Sequence, residues 1–194
     1  MRVGLSNFLR FISASGASKV NKVIEAQQEY REWKDFYKDF REGVLLSLAK
    51  KDTERLEAIV SGIEARKFDH YQNCLLGYQK WLSVTDFKVI SFPKSESWES
   101  GGARISVNPE VVIEIDGTKY LVKLYMSQET LSQPARRAYA WLVAQTHGGD
   151  YVAALLEIRK GKLIVCTSKS AKIGQWLKGE AATFVALWNM NRAA

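Results

Sequence analysis

Asn108-Pro109-Glu110-Val111-Val112-Ile113-Glu114-Ile115-Asp116-Gly117-Thr118-Lys119-Tyr120-Leu121-Val122-Lys123-Leu124-Tyr125 reads as two short strands joined by an Asp-Gly turn. With Asp116-Gly117 as a two-residue loop, Ile115 stands opposite Thr118, Glu114 opposite Lys119, Val112 opposite Leu121 and Glu110 opposite Lys123. Strand side chains alternate, so Val111, Ile113, Ile115, Tyr120 and Val122 share one face. Glu110, Glu114, Lys119 and Lys123 share the other. That second face suits either of two things. Opposite charges across an antiparallel pair stabilise by about 0.2–1 kcal/mol, which makes a surface ladder. Clustered carboxylates beside lysines also suit a metal-dependent phosphodiesterase centre.

Outward from this hairpin the pattern stays strand-like on one side and turns helical on the other. Phe87–Phe92 alternates as a strand, Pro93–Gly102 is expected as a polar loop, and Ala103–Val107 opens the next strand. After the hairpin, Ser132-Gln-Pro134 is a helix start, with Ser132 as cap and Gly148-Gly149 as stop. Tyr151–Ile158 and Lys162–Thr167 are strands around Lys160-Gly161, and a last helix runs from about Ser170 to Asn189. Before all this, residues up to about 84 are helical. Val20, Val23, Ile24, Tyr30, Trp33, Phe36, Tyr37, Phe40, Val44 and Leu48 recur at three- and four-residue steps, and two further stripes follow, Leu56–Ile63 and Phe68–Leu82. An aromatic stripe at this spacing is read as core rather than as a stacking platform. The division expected is a helical arm, 1–84, and an α/β core, 85–194, built on a mixed β-sheet flanked by helices.

A chain of 194 residues can bury a proper core without staples. The net charge of +7 favours an anionic partner, nucleic acid first and an anionic membrane surface second. Cys74 and Cys166 show neither metal-ligand spacing nor a disulfide framework, which suggests reduced thiols and a cytoplasmic protein. At the N-terminus Arg10 interrupts the apolar run that a signal peptide needs. Leu5, Phe8, Leu9 and Ile12 instead fit one face of a short helix expected to dock on the protein, ahead of a partner or a membrane surface, and no apolar run reaches bilayer length.

The order helix, three strands, helix, strand, with Asn108-Pro109-Glu110 feeding Leu121-Val122-Lys123, resembles the restriction-endonuclease-like superfamily, the PD-(D/E)xK nucleases. The resemblance covers about Asp86 to Ser168 and rests on a short motif. It implies that Glu110 stands at the family's first metal-binding carboxylate, with Glu in place of Asp, and that Lys123 stands at the lysine that positions the attacking water. Leu121 departs from the pattern, because the family places its second acid there. A Mg²⁺ or Mn²⁺ centre then needs a migrated acid, and Glu114 is the first candidate, two residues beyond Glu110 on the same strand face. The same resemblance sets Arg136 and Arg137 on a helix flanking the site, within reach of a phosphate, with Lys119 on the hairpin. The expected function is a nuclease-like nucleic-acid binder, DNA ahead of RNA, with catalysis weak or lost. The alternative is a non-enzymatic interaction module that meets itself or a protein partner through residues 18–83.

Overall fold

The computed structural model describes residues 1–29, 36–168 and 172–193. In chain order the elements are β1 (Arg2–Gly4), α1 (Leu5–Ser13), α2 (Ser18–Glu29), α3 (Lys38–Lys50), α4 (Glu54–Ser61), α5 (Ala65–Val84), β2 (Lys88–Ser91), β3 (Glu96–Ser100), β4 (Ala103–Val107), β5 (Val111–Ile115), β6 (Thr118–Tyr125), α6 (Gln133–Thr146), β7 (Val152–Glu157), β8 (Lys162–Val165) and α7 (Ile173–Ala193). A 3₁₀ turn, Ile158–Lys160, joins β7 to β8. The architecture is α/β, with mixed sheets flanked by helices.

The hairpin has the register its turn dictates. Ile115 pairs with Thr118, Glu114 with Lys119 and Val112 with Leu121. Asp116 and Gly117 both take positive φ, 49° and 74°, as a two-residue loop matched to strand twist requires. This hairpin is the centre of a five-stranded sheet ordered β2-β5-β6-β7-β8. Only β6 and β7 run parallel within it, and α6 makes the crossover that such a pair needs. Ser132 caps α6 by accepting a hydrogen bond from the Ala135 N–H, with Pro134 in the first turn.

Several expectations are corrected. Pro93–Gly102 is not all loop: Glu96–Ser100 is β3, paired antiparallel with β4. Its polar residues conceal a strand because its packing rests on Trp98 alone, which meets Trp141 of α6 edge-on at 5.8 Å between ring centres. Strand β4 leaves the main sheet and builds a second one, ordered β1-β4-β3, in which the unforeseen strand Arg2–Gly4 pairs parallel with β4. The single sheet expected from the strand order is therefore two. The last helix is described from Ile173, and Ser170, near which its start is expected, lies outside the described residues, as do Tyr30 and Trp33.

The main sheet is buried on both faces. Val111, Ile113, Val122, Leu124, Ala154 and Leu156 pack against α3, α4 and α5 through Phe40, Val44, Leu56, Tyr71 and Tyr78. Val112, Leu121, Ala153 and Leu155 pack against α1, α2, α6 and α7 through Phe8, Phe11, Val23, Tyr139 and Phe184. The helices of residues 1–84 thus share cores with the strands on either side of the sheet, rather than forming a layer of their own. The expected docking of Leu5, Phe8, Leu9 and Ile12 on the protein is seen, all four being buried. The hairpin face bearing the four charges is a core face at its centre, because Leu121 and Val112 stand between the charged ends.

Candidate functional site

Pro109 lies in the short link between β4 and β5, and the Glu110 N–H donates to the Val122 carbonyl at 2.9 Å, extending the ladder one residue beyond Val111. This sets Glu110 across from Lys123 near the C-terminal end of β6. Their side chains form a direct ion pair and are 7% and 5% exposed. The ammonium of Lys123 also donates to the Asn108 carbonyl at 3.1 Å, and the Leu124 N–H donates to the other Glu110 oxygen at 2.7 Å. Two charges taken out of water cost several kcal/mol each unless they are paired and hydrogen-bonded, and this pair is both. Tyr139 closes the site from α6 by donating its hydroxyl to the Leu121 carbonyl at 3.0 Å. Burial, and then the Glu110 carboxylate, push that phenol well above its usual range.

The pair forms part of the floor of a cleft of about 710 Å³, at the C-terminal end of β6 between the two helical layers. Arg2 of β1 and Arg10 of α1 come from one wall, and Arg41 of α3 and His70 of α5 from the other. Arg2, Arg10, Arg41 and Lys123 make four cations against two lining carboxylates, Glu110 and Glu129, so the cleft carries a net positive field. Arg2 is steadied by donating Nε to Ser106 Oγ at 2.9 Å. Glu129, in the loop after β6, bridges Lys22 at 2.6 Å and Arg10 at 3.3 Å, and Arg10 also meets Glu25 at 2.5 Å. Burial alone raises the Glu129 carboxyl, but hydrogen bonds from Lys22 and Arg10 and their charges outweigh it and hold it below its ordinary value. His70 Nδ1 accepts from Arg159 at 3.4 Å. Asn108 contributes a buried side-chain oxygen with no hydrogen-bond partner among the described residues.

The other expected site residues lie elsewhere. Glu114 is flanked by Lys119 on β6 and Lys88 on β2 and lines a different depression, with Asp86 and Asp116. Lys119 is exposed beside the turn, four residues and roughly 13 Å along the strand from Lys123. Arg136 donates to the Leu131 carbonyl at 3.0 Å and Arg137 is exposed on α6, and neither lines the cleft. Glu110 and Lys123 are therefore brought together, and Glu114, Lys119, Arg136 and Arg137 are not brought to them. The cleft's arginines went unrecognised because they come from three elements with no shared spacing. The only sequence signal was Arg10, a charge set into an otherwise apolar helix.

The donor set does not match a Mg²⁺ or Mn²⁺ centre. Both Glu110 oxygens accept from neighbours, Leu121 offers no ligand, and Glu114 opens into another depression. Among the described residues no group of three or more His, Cys, Asp or Glu is placed so that it could hold a metal ion. Nor is any described helix long and apolar enough to cross a membrane. A scan against family models and a search of curated proteins return no match to the chain.

Proposed function

We propose that this protein is a nucleic-acid-binding protein with a nuclease-like domain, DNA ahead of RNA, whose hydrolytic chemistry is weak or lost. The observation that carries the reading is the Glu110–Lys123 pair in the floor of a cleft lined by Arg2, Arg10 and Arg41. The element order α5-β2-β5-β6-α6-β7, with β3 and β4 diverted into a second sheet, agrees with the helix, three strands, helix, strand order behind the restriction-endonuclease-like resemblance. Pro109-Glu110 at the entry to β5 and Lys123 on β6 agree with two of that family's motif positions. Leu121, buried where the second acid belongs, argues for binding over cleavage.

In this reading the arginines meet backbone phosphates, which sets affinity and orientation without sequence preference. Lys123 and Glu110 answer each other's charge in the floor, so the positive field that meets a phosphate comes from Arg2, Arg10 and Arg41 on the walls. The test is a binding titration of labelled DNA and RNA across a range of salt, with a cleavage panel in Mg²⁺ and Mn²⁺. Binding that weakens linearly in log salt, with little or no cleavage, is the expected result. No salt-sensitive binding to any nucleic acid overturns the proposal.

A further inference from the structure

Phe36 and Tyr37 line the same cleft as the arginines, and unlike their neighbours Phe40 and Tyr71 they are only half-buried. Phe36 is held by edge-to-face contacts with Tyr37 at 4.8 Å, His70 at 5.2 Å and Tyr71 at 6.1 Å. The Tyr71 hydroxyl donates to the Phe36 carbonyl at 2.7 Å, tying that backbone to α5. Tyr37 stacks on Tyr71 with the rings 17° apart. The ammonium of Lys67 lies over the Phe36 ring, 5.6 Å from its centre, and adds one more cation near the aromatic pair. These rings are fixed, partly uncovered, and face a cleft carrying excess positive charge.

We propose that the cleft receives an unpaired strand of nucleic acid, with a base laid against Phe36 and Tyr37 and the adjoining phosphate drawn to Arg10 and Arg41. The inference rests on the nucleic-acid reading above and adds the state of the strand. A base inside a duplex offers only its edges, through the grooves, and cannot lay its face on a side chain without leaving the stack. A single strand offers that face at every nucleotide, and a positive groove with aromatic platforms is the chemistry that takes it. A cleft of about 710 Å³ confined between two helical layers has the volume of a small-ligand pocket. It therefore admits a nucleotide or two of a flexible strand, whereas a duplex would rest on its rim.

The test compares one labelled oligonucleotide as a single strand and as a blunt duplex, binding to the full chain and to Phe36 variants. The wild type is expected to favour the single strand by about tenfold or more. Phe36→Ala is expected to lose about tenfold of single-strand affinity with an unchanged salt slope, since stacking is removed and phosphate contacts are kept. Phe36→Trp is expected to restore the affinity. Phe36→Leu keeps apolar bulk but removes the π face, so it should show the same loss even if the alanine variant fails to fold. Duplex bound as tightly as single strand, or Phe36→Leu binding like the wild type, overturns the inference and leaves the nucleic-acid reading standing. Absence of salt-sensitive binding to either form overturns both.

Discussion

The carboxylate of Glu110 receives the ammonium of Lys123 on one oxygen and the Leu124 N–H on the other, so each charge of this buried pair is answered within one hairpin. Lys123→Ala leaves a carboxylate stranded in a site that water barely reaches. Urea unfolding is expected to show a loss of about 3–5 kcal/mol. Replacing both partners together, Glu110→Gln with Lys123→Met, is expected to cost much less. A double variant as unstable as the single one would mean that the charges are not answering each other.

Restoring the acid expected of the resembled family should not restore a metal site. Leu121 is fully buried among Val112, Tyr139 and Leu155, on the core side of the sheet. Leu121→Glu introduces a charge with no cation opposite it, since the cross-strand partner is Val112. A loss of at least about 3 kcal/mol is expected in chemical unfolding, with no gain in Mn²⁺ affinity by calorimetry.

What could be read from the sequence, and what could not, divides along the range of the interactions. The register of β5 and β6 was legible because Asp116-Gly117 sets it locally, and the pairing of Glu110 with Lys123 followed from counting outward. Strand β3 was not legible, because Glu96, Ser97, Glu99 and Ser100 read as a loop and only Trp98 meeting Trp141 makes a strand worthwhile there. Glu114 looked like a neighbour of Glu110 because spacing along one strand says nothing of what covers it. Leu121 is roofed by Tyr139 between the two, and Glu114 is left beside Lys88. The arginine wall depends on β1 meeting β4 and on helices lying on both sides of the sheet, neither of which any local pattern encodes.

Glu129 gives stability a pH dependence of predictable sign. Its carboxyl is held below the ordinary value of 4.5 in the folded protein, so its contribution is complete above that pH. The contribution is lost as pH falls through the lower folded value. Thermal unfolding of Glu129→Gln should therefore lie below the wild type near neutrality, with the two curves converging well below pH 4.5. Curves that stay parallel throughout would assign the effect to packing. The same substitution leaves Arg10 and Lys22 with one carboxylate fewer and is expected to tighten salt-sensitive nucleic-acid binding.

Gly77 of α5 permits a close approach that no other residue type allows. A methyl group there would overlap the Ile158 carbonyl oxygen and come within 2.6 Å of the Arg159 backbone. Gly161, at φ 60°, abuts the Gly77 carbonyl from the other side. Gly77→Ala is expected to destabilise by about 1–3 kcal/mol through overpacking, despite the better helix propensity of alanine. Denaturant unfolding checks the sign, and a stabilised variant would refute the close packing of α5 on the 3₁₀ turn.

Both thiols should be inert in the folded protein. Burial pushes Cys74 and Cys166 up to about 12, with Arg159 and Arg136 opposing the shift at one and the other. Alkylation at mildly alkaline pH is expected to label neither until denaturant is added, read by intact mass. Labelling of either cysteine without denaturant would show that its surroundings open readily.

Arg2 reaches Ser106 across 104 residues of sequence, and β1 has no strand to pair with until β4 is in place. Closing a loop of that length is entropically unfavourable and contributes nothing until the far contact forms, so such contacts slow folding. The arginine wall is in this sense the late-forming part of the molecule. While the chain is being made, α1 emerges with its charges long before the floor they will overlook. A polypeptide interrupted before β4 would carry Arg10 on α1 and Arg2 in a segment with no strand to pair with. Competence to hold an anion in the cleft should thus appear abruptly in refolding time courses, with completion of the small sheet, rather than growing with helix content.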